Sequence, residues 1–357
     1  MKKKRLMGFA GVAAACALAL AVAGCGGGKA ASSNGGSAST GTSGSDYQVT
    51  MVTDMGGVND QSFNELAWDG LQKLTKDTGI KTSYTESKQE SDYATNLDKA
   101  VDGGNKLVWG IGFAMADAVE SAAKQNPDVN FAIIDNAYEK PASNLTGVTF
   151  RSQESSFVVG YIAAMTTQTG KVGFVGGIKS DVLNTFEYGY RAGVAYANKT
   201  AGKNVQVTVQ YTETFMDAAK GKALGQKLYS DGNDIVFACA GNAGNGVIEA
   251  ATDANKMVIG VDKDQYDLAP KNMLSSAMKN VDEAVETVSK EAADGKEIGG
   301  QNIELGMSDG AVGISEHHDL MSDDVYKAAQ DLVQQIKDGK ITPPGTEDAF
   351  NEYTASL

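Results

Sequence analysis

The chain has 357 residues, with 45 acidic and 31 basic side chains and a formal net charge of −14 at pH 7. Such acidity argues against nucleic acid or an anionic lipid surface as the partner of the folded part. A chain of this length is too long for one ordinary hydrophobic core, so we expect the folded part to divide in two.

The N-terminus predicts export and anchoring. Basic residues precede an apolar, alanine-rich run that ends in small residues, which is the order of a secretory signal over residues 1–24. The small residues before Cys25 resemble the lipobox of bacterial lipoproteins, in which the cysteine is acylated; an uncleaved anchor is the alternative. Residues 26–45 are almost wholly Gly, Ala, Ser, Thr and Asn, which predicts a flexible tether. We therefore expect a protein that a lipid on Cys25 holds at the extracytoplasmic face of the cell membrane.

From residue 46 onward, short apolar runs alternate with helical patterns. The predicted strands are 49–53, 81–86, 106–110, 130–135 and 144–150, followed by 171–176, 205–211, 234–240 and 256–261. Helical spacing of apolar residues predicts a helix that Gly79 ends, and then helices over 93–102, 114–125, 156–167, 185–197, 218–230 and 243–255. Two successive alternations of similar length predict an α/β fold with two parallel-sheet, Rossmann-like lobes.

The C-terminal part predicts that the chain returns to the first lobe. Strand-like runs at 273–278, 301–305 and 310–314, with a helix at 282–294, would make three crossings between the lobes in all, a multi-strand hinge. The last predicted helix is 322–338. The predicted lobes are residues 46–150 plus 278–305 and residues 151–277 plus 306–357.

The turn between the first strand and the first helix is dense in polar groups. Ser62 and Glu65 have the spacing of a capping box, in which the Ser62 hydroxyl accepts from the Glu65 amide and the Glu65 carboxylate accepts from the Ser62 amide. On this prediction both side chains are used in starting the helix. The residues left to face a ligand are Asp54, Asp60, Phe63 and Asn64.

Several short patterns typical of enzymes or cofactor sites are unsupported by their surroundings. Ser308 lies in a G-x-S-x-G run, but the helix that a nucleophile elbow requires does not follow it. His317 and His318 are adjacent and so point apart, and no second cluster completes a metal site. The turn at 241–246 has neither the glycine spacing nor the lysine of a phosphate-binding loop. We expect no catalysis, no cofactor and no metal. Cys239 is expected to be a small buried side chain.

Carboxylates and aromatic rings recur where predicted strands end. Asp54, Asp135 and Asp262 each end an apolar strand. The aromatic residues at comparable places are Phe63, Phe113, Phe186 and Phe215. Any one of these could be a helix cap or a core residue. As a set they predict a cleft in which carboxylates take hydroxyl donors and aromatic faces stack on a flat ring.

Four segments resemble the basic membrane protein family, the substrate-binding lipoproteins of ABC transporters. They are DMGGVNDQSFNELAWDGL at 54–71, FAIID at 131–135, SSFVVGYIAA at 155–164 and VIGVDKDQ at 258–265. The resemblance implies a type I periplasmic-binding-protein fold that closes on a ligand, a purine nucleoside in the characterised branch. It also implies an ABC transporter permease as partner of a monomer.

The resemblance carries ligand contacts onto particular residues. Phe63 and Phe215 would stack on the base, and Phe186 occupies a strand-end position that contacts ligand in related sugar-binding proteins. The residues implied near the base edge are Asp60, Asn64 and Asp135. Those implied near the ribose are Asp54, Gly241, Asp262 and Lys279. Lys279 could pair with Asp262 and hold that carboxylate ionised.

Three alternatives remain open from the sequence. The nearest is a receptor for a free sugar or polyol, because the same fold binds both kinds of ligand. A nucleoside hydrolase or a sugar isomerase on a similar scaffold is a second. A sensor whose closed form contacts a membrane receptor is a third.

Overall fold

The structure, a computed structural model, describes residues 47–357, which belong to one compact unit. The predicted signal, the tether and Cys25 lie outside these residues. None of the helices described is long and apolar enough to cross a bilayer. The strands are β1 (Gln48–Thr53), β2 (Lys81–Thr85), β3 (Leu107–Ile111), β4 (Asn130–Ile134), β5 (Leu145–Phe150), β6 (Lys171–Gly176), β7 (Gln206–Tyr211), β8 (Ile235–Cys239), β9 (Met257–Asp262), β10 (Met273–Lys279), β11 (Gln301–Leu305) and β12 (Val312–Ile314).

Helices follow most of these strands, as the alternating pattern predicts. They are α1 (Phe63–Thr78), α2 (Asp92–Asp102), α3 (Ala116–Gln125), α4 (Ser152–Thr166), α5 (Asp181–Thr200), α6 (Ala218–Ser230), α7 (Gly241–Ala254), α8 (Val281–Ala293), α9 (Asp323–Lys337) and α10 (Glu347–Ser356). Gly79 ends α1 at φ 76°, a left-handed conformation that glycine adopts without steric cost. Short 3₁₀ turns lie at Phe113–Met115, Tyr266–Leu268 and Met307–Asp309.

The strands form two six-stranded sheets of the same order. The first runs β2-β1-β3-β4-β5-β11 and is parallel throughout; the second runs β7-β6-β8-β9-β10-β12, with only β12 antiparallel. Central strands such as β3 and β8 are buried along their whole length, whereas the edge strands β2 and β7 are partly exposed and polar. Each sheet with its packed helices is called a lobe below. The predicted α/β fold of two similar parallel-sheet lobes is confirmed.

In both lobes the strand order reverses at one point. In the first lobe β1 pairs with β2 on one side and β3 on the other; in the second, β6 pairs with β7 and β8. A crevice opens beyond the carboxyl ends of the strands at such a switch point, because the following helices depart to opposite faces of the sheet. Both crevices contribute to the cavity described below.

Three connections join the lobes, as the sequence predicts. The chain crosses between β5 and α4, between β10 and α8, and after β11. The first and third crossings are tied together by Arg151, whose backbone N–H donates to Leu305 O at 2.8 Å and whose guanidinium pairs with Glu154 at 2.8 Å and Asp309 at 3.3 Å. Glu154 in turn accepts from the Met307 amide at 2.6 Å. These bonds hold the first and third crossings together.

One helix was missed by the sequence analysis. The hydroxyl of Thr346 accepts from the Ala349 amide and starts α10, which packs on α5 through Phe350. The guanidinium of Arg191 lies 4.5 Å from the Phe350 ring centroid, within the range of a cation–π contact. No residue of α10 is fully buried, so its apolar pattern was too weak to predict a helix after residue 338.

Candidate functional site

A cavity lies between the lobes at the carboxyl ends of the strands. Its empty volume is about 1030 Å³, part of it open to solvent, which is at the upper end of the usual range for small-molecule sites. All ten residues that the sequence analysis put forward for ligand binding line it. They are Asp54, Asp60, Phe63, Asn64, Asp135, Phe186, Phe215, Gly241, Asp262 and Lys279. The fold therefore brings together residues more than 200 positions apart.

The wall formed by the first turn is a network of two carboxylates and one amide. Asp54 Oδ1 accepts from the Gly56 amide at 2.8 Å and from Asn64 Nδ2 at 2.9 Å, and Asn64 Nδ2 also donates to Asp60 at 3.0 Å. Burial raises the pKa of Asp54 to about 6; the two hydrogen bonds oppose this rise, and the charges of Asp60 and Asp135 add to it. Asp54 therefore titrates close to neutral pH.

The predicted capping box is wrong. Ser62 makes no side-chain cap; instead Asp60 accepts from the amides of Ser62, Asn64 and Glu65 at 3.0, 2.9 and 3.1 Å. The Asp60 carboxylate, two residues before the N-cap Ser62, satisfies three free N–H groups at the start of the helix, and its charge suits the positive end of the helix dipole. Asp60 lines the cavity, but both its oxygens are engaged in starting α1.

The side chains of Ser62 and Glu65, which do not cap α1, bond to residues of the second lobe. Ser62 Oγ donates to Asp262 Oδ2 at 2.6 Å, and Glu65 pairs with Lys263 Nζ at 2.8 Å. The Gln61 carbonyl, at a residue with φ 56°, accepts from Gln265 Nε2 at 3.0 Å. The N-terminus of α1 therefore contacts the loop after β9 directly. Capping chemistry alone could not reveal this, because the partners are about 200 residues away.

Lys279 lies at the second crossing among two carboxylates. Its Nζ is 2.7 Å from Asp135 Oδ2 and 3.5 Å from Asp262 Oδ1, so the predicted partner, Asp262, is the more distant of the two. All three residues are buried. Burial lowers the pKa of Lys279, but the two carboxylates outweigh it and hold that pKa above its usual value. Lys279 is thus charged and neutralises part of a buried acidic centre.

Aromatic rings from both lobes face this centre. Lys279 Nζ lies 4.5 Å from the Phe63 ring centroid and 5.6 Å from that of Phe186. Phe215, from the second lobe, is edge-on to Phe113 from the first, with ring centroids 6.3 Å apart. The sequence analysis placed Phe186 at the end of a strand, which is wrong. Phe186 lies inside α5 and is 2% exposed. The cavity thus offers apolar faces to a flat ligand group from two sides.

Gly241 begins α7 with φ 54°, a conformation that disfavours any side chain. Its neighbour Cys239 ends β8, is buried as predicted, and also lines the cavity. Burial raises the pKa of the Cys239 thiol well above its ordinary value, which disfavours the reactive thiolate.

Several lining residues escaped the sequence analysis. Tyr93 from α2, Glu90 just before it, and Glu213 and Met216 from the loop after β7 complete the cavity wall. The alternation of strands predicted where these loops start but not how far they reach. The strained backbone of Glu213, with φ 56°, is visible only in the structure.

Two buried polar atoms in the wall have no hydrogen-bond partner among the residues described. They are Asn64 Oδ1 and Tyr93 Oη. The backbone amide of Met55 approaches Tyr93 Oη without completing a hydrogen bond. Buried polar atoms are rarely left unpaired, because an unmade hydrogen bond costs about 1–3 kcal/mol. Both residues line the cavity, while the two atoms themselves are enclosed by protein.

The enzyme-like patterns lie elsewhere. Ser308 lies in a 3₁₀ turn that leads into β12, the strand-like run that the sequence places after it. His317 stacks on Tyr266 at 3.7 Å between ring centroids and His318 on Tyr326 at 3.9 Å. Over residues 47–357 no group of three His, Cys, Asp or Glu side chains is placed to hold a metal ion.

Two doubly wound lobes, three connections between them and a ligand-sized cavity at the switch points define a solute-binding protein of the two-lobed periplasmic type. Comparison with known sequences gives the family: a profile described as ABC transporter substrate-binding protein PnrA-like matches residues 47–347. The chain belongs to this family, and the predicted resemblance is confirmed.

Similar proteins agree with this assignment. The chain is 41% identical to a protein of Listeria monocytogenes named CD4+ T-cell-stimulating antigen, over 85% of this chain and 89% of the other. It is 40% identical to the ABC transporter nucleoside-binding protein BmpA of Lactococcus lactis, over 85% and 92%. Among solved structures, an ABC transporter solute-binding protein from Aeropyrum pernix matches with a TM-score of 0.79 and 26% identity over 87% and 98%.

Proposed function

We propose that this protein captures a nucleoside between its lobes and delivers it to the permease of an ABC transporter, with a lipid on Cys25 holding it at the extracytoplasmic face of the cell membrane. No bond of the ligand is made or broken. The observation that carries the proposal is the cavity itself, which combines aromatic faces from both lobes with a buried centre of Asp135, Asp262 and Lys279. The Lactococcus lactis relative, named a nucleoside-binding protein, supports the choice of ligand.

The two parts of a nucleoside fit different parts of the cavity. A flat, apolar base gains from stacking, by about 1–3 kcal/mol per ring, so we place it between Phe63 and Phe215. A ribose offers hydroxyl donors, which the Asp262 and Asp135 carboxylates can accept in charge-assisted bonds of about 1.5–3 kcal/mol each. We move Asp135 from the base edge, where the family resemblance put it, to the ribose, because Lys279 holds it beside Asp262. Asn64 and Asp54 then meet the polar edge of the base or the remaining hydroxyl.

Closure would use the contacts already described around the cavity. We propose that residues 46–150 plus 278–305 move against residues 151–277 plus 306–357 about the three crossings. The bonds from Ser62, Glu65 and Gln61 to the loop after β9 would form only when the lobes meet. A ligand that bridges the lobes stabilises that closed arrangement by its preference for it.

Calorimetric titration of the purified protein with adenosine, guanosine, inosine and uridine tests the proposal. We expect at least one nucleoside to bind, free ribose not to compete, and no product to form on incubation. Binding of ribose or another free sugar with no response to any nucleoside would favour the polyol receptor instead. Appearance of free base would favour a hydrolase.

Binding should depend on pH through Asp54. A ligand N–H or O–H bonds to the ionised carboxylate, and in the folded protein the pKa of Asp54 is raised to about 6. Affinity should therefore be constant above about pH 7 and fall by up to about tenfold per pH unit below 6, because a protonated Asp54 must lose its proton before the ligand binds. Titration between pH 5 and pH 8 measures this.

The isosteric variant Asp54→Asn provides the control. It cannot titrate, so its affinity should be weaker at neutral pH and nearly flat across the same range. A wild-type profile as flat as that of the variant would show that Asp54 does not contact the ligand.

A further inference from the structure

The charged residues of the cavity wall are mostly acidic. Its acidic residues are Asp54, Asp60, Glu90, Asp135, Glu213 and Asp262. Within the described part of the chain, Lys279 is the only basic residue that lines it. The Lys279 ammonium is already within 3.5 Å of two carboxylates, so it has little capacity left for an anion.

Four of these carboxylates are compensated and two are not. Asp54 and Asp60 accept backbone and amide N–H groups, and Asp135 and Asp262 share Lys279. Glu90 and Glu213 are exposed, and neither takes part in an ion pair among residues 47–357. Exposed glutamates away from the cavity are of both kinds: Glu249 pairs with Lys222 at 2.7 Å, whereas Glu297 and Glu352 take part in no ion pair in the described part of the chain.

The two uncompensated carboxylates come from opposite lobes. Glu90 precedes α2 in the first lobe, and Glu213 follows β7 in the second. Both are exposed and both line the cavity, so they flank its mouth.

The backbone fixes the position of Glu213. Its amide donates to Gly177 O at 3.0 Å while its φ is 56°, a conformation that is unfavourable for a glutamate. Strain held in this way at a site is a reason to look for a function of the side chain.

We propose that Glu90 and Glu213 form an electrostatic filter that rejects phosphorylated nucleosides while leaving the binding of uncharged nucleosides unchanged. The inference rests on the proposed function and adds the discrimination between a nucleoside and its monophosphate. A phosphate carries a charge of about −1.5 to −2 at pH 7. Two fixed charges of the same sign at the mouth of a low-dielectric cavity raise the free energy of such a ligand there, whereas a neutral ligand feels little of their field.

The test compares the double variant Glu90→Gln/Glu213→Gln with the wild-type protein. We call it the rim variant, because both residues lie at the mouth, or rim, of the cavity. The ligands are the tightest-binding of the four nucleosides and its own 5′-monophosphate, titrated by calorimetry at an ionic strength of about 20 mM. We expect the variant to bind the monophosphate about 5- to 10-fold more tightly than wild type and the nucleoside within about two-fold. At about 0.5 M salt the gain should shrink below about two-fold, because exposed charges are then screened.

Glu297→Gln/Glu352→Gln is the matched control. Both glutamates are exposed and lie outside the cavity wall, so this variant makes the same change in net charge. It should leave both affinities within about two-fold of wild type. Equal monophosphate affinities in the rim and control variants would overturn the filter.

Two other outcomes are decisive. If the monophosphate stays undetectable in the rim variant as well, charge at the rim is not what excludes it, and the filter is wrong. If no nucleoside binds the wild-type protein, the proposed function fails and the filter fails with it. Nucleoside binding with no effect of the rim variant overturns the filter alone.

Discussion

Replacing Lys279 with methionine is expected to destabilise the folded protein by about 3–5 kcal/mol at pH 7. Its side chain is 3% exposed and compensates Asp135 at 2.7 Å and Asp262 at 3.5 Å. Methionine has a similar volume, so packing is kept while two buried carboxylates lose their counter-ion, which is far more costly than the net contribution of the intact pair. Urea unfolding at several pH values measures the loss.

The pH dependence of that loss identifies its cause. Burial raises the folded-state pKa of Asp135 and Lys279 opposes that rise, so without Lys279 this pKa would lie further above its unfolded value. A carboxyl group with a raised folded pKa destabilises the fold once the pH exceeds its unfolded pKa. The deficit of Lys279→Met should therefore be smallest near pH 4 and grow towards neutral pH. A deficit independent of pH would indicate lost packing instead.

The largest effect on ligand affinity is expected from Asp262→Ala. If Asp262 accepts a ribose hydroxyl, its loss should weaken nucleoside binding by about 3 kcal/mol, more than a hundredfold. Stability should suffer less than in Lys279→Met, because Lys279 keeps its shorter pair with Asp135. Calorimetric titration and thermal unfolding of the same preparation separate the two effects.

Ser62→Ala is the matched control for Asp262→Ala. The hydroxyl of Ser62 donates to Asp262 across the lobes at 2.6 Å but does not line the cavity. This variant removes the inter-lobe hydrogen bond and leaves the carboxylate, so affinity should fall only a few-fold. If Ser62→Ala weakens binding as much as Asp262→Ala, then Asp262 acts through lobe closure and not through the ligand.

Hinge and cavity are coupled in this fold. Lys279 ends β10 at the second crossing and also neutralises the buried acidic centre. Arg151 ties the first and third crossings. Arg151, at the first crossing, is therefore paired with groups of the hinge, and Lys279, at the second crossing, is paired with carboxylates of the site. We expect changes in either to be felt in both lobe closure and ligand affinity.

The sequence by itself determined the architecture. Strands such as β3 and β8 are buried throughout, and buried parallel strands carry an unbroken apolar run that is read locally. The strand-end positions of Asp54, Asp135 and Asp262 followed from the same runs. The carboxyl ends of parallel strands meet at one edge of a sheet, so the strand order of the family was enough to place these residues in one cleft. All ten predicted residues line one cavity.

Only the tertiary structure decided which partner each polar group takes. Ser62 and Glu65 have capping-box spacing, yet Asp60 caps the helix and the two side chains bond to Asp262 and Lys263 instead. Lys279 likewise lies closer to Asp135 than to Asp262. A local motif is one of several ways to satisfy a polar group, and a buried charge from a distant segment competes for the same hydrogen bonds. That competition depends on distances that packing sets and that sequence spacing does not contain.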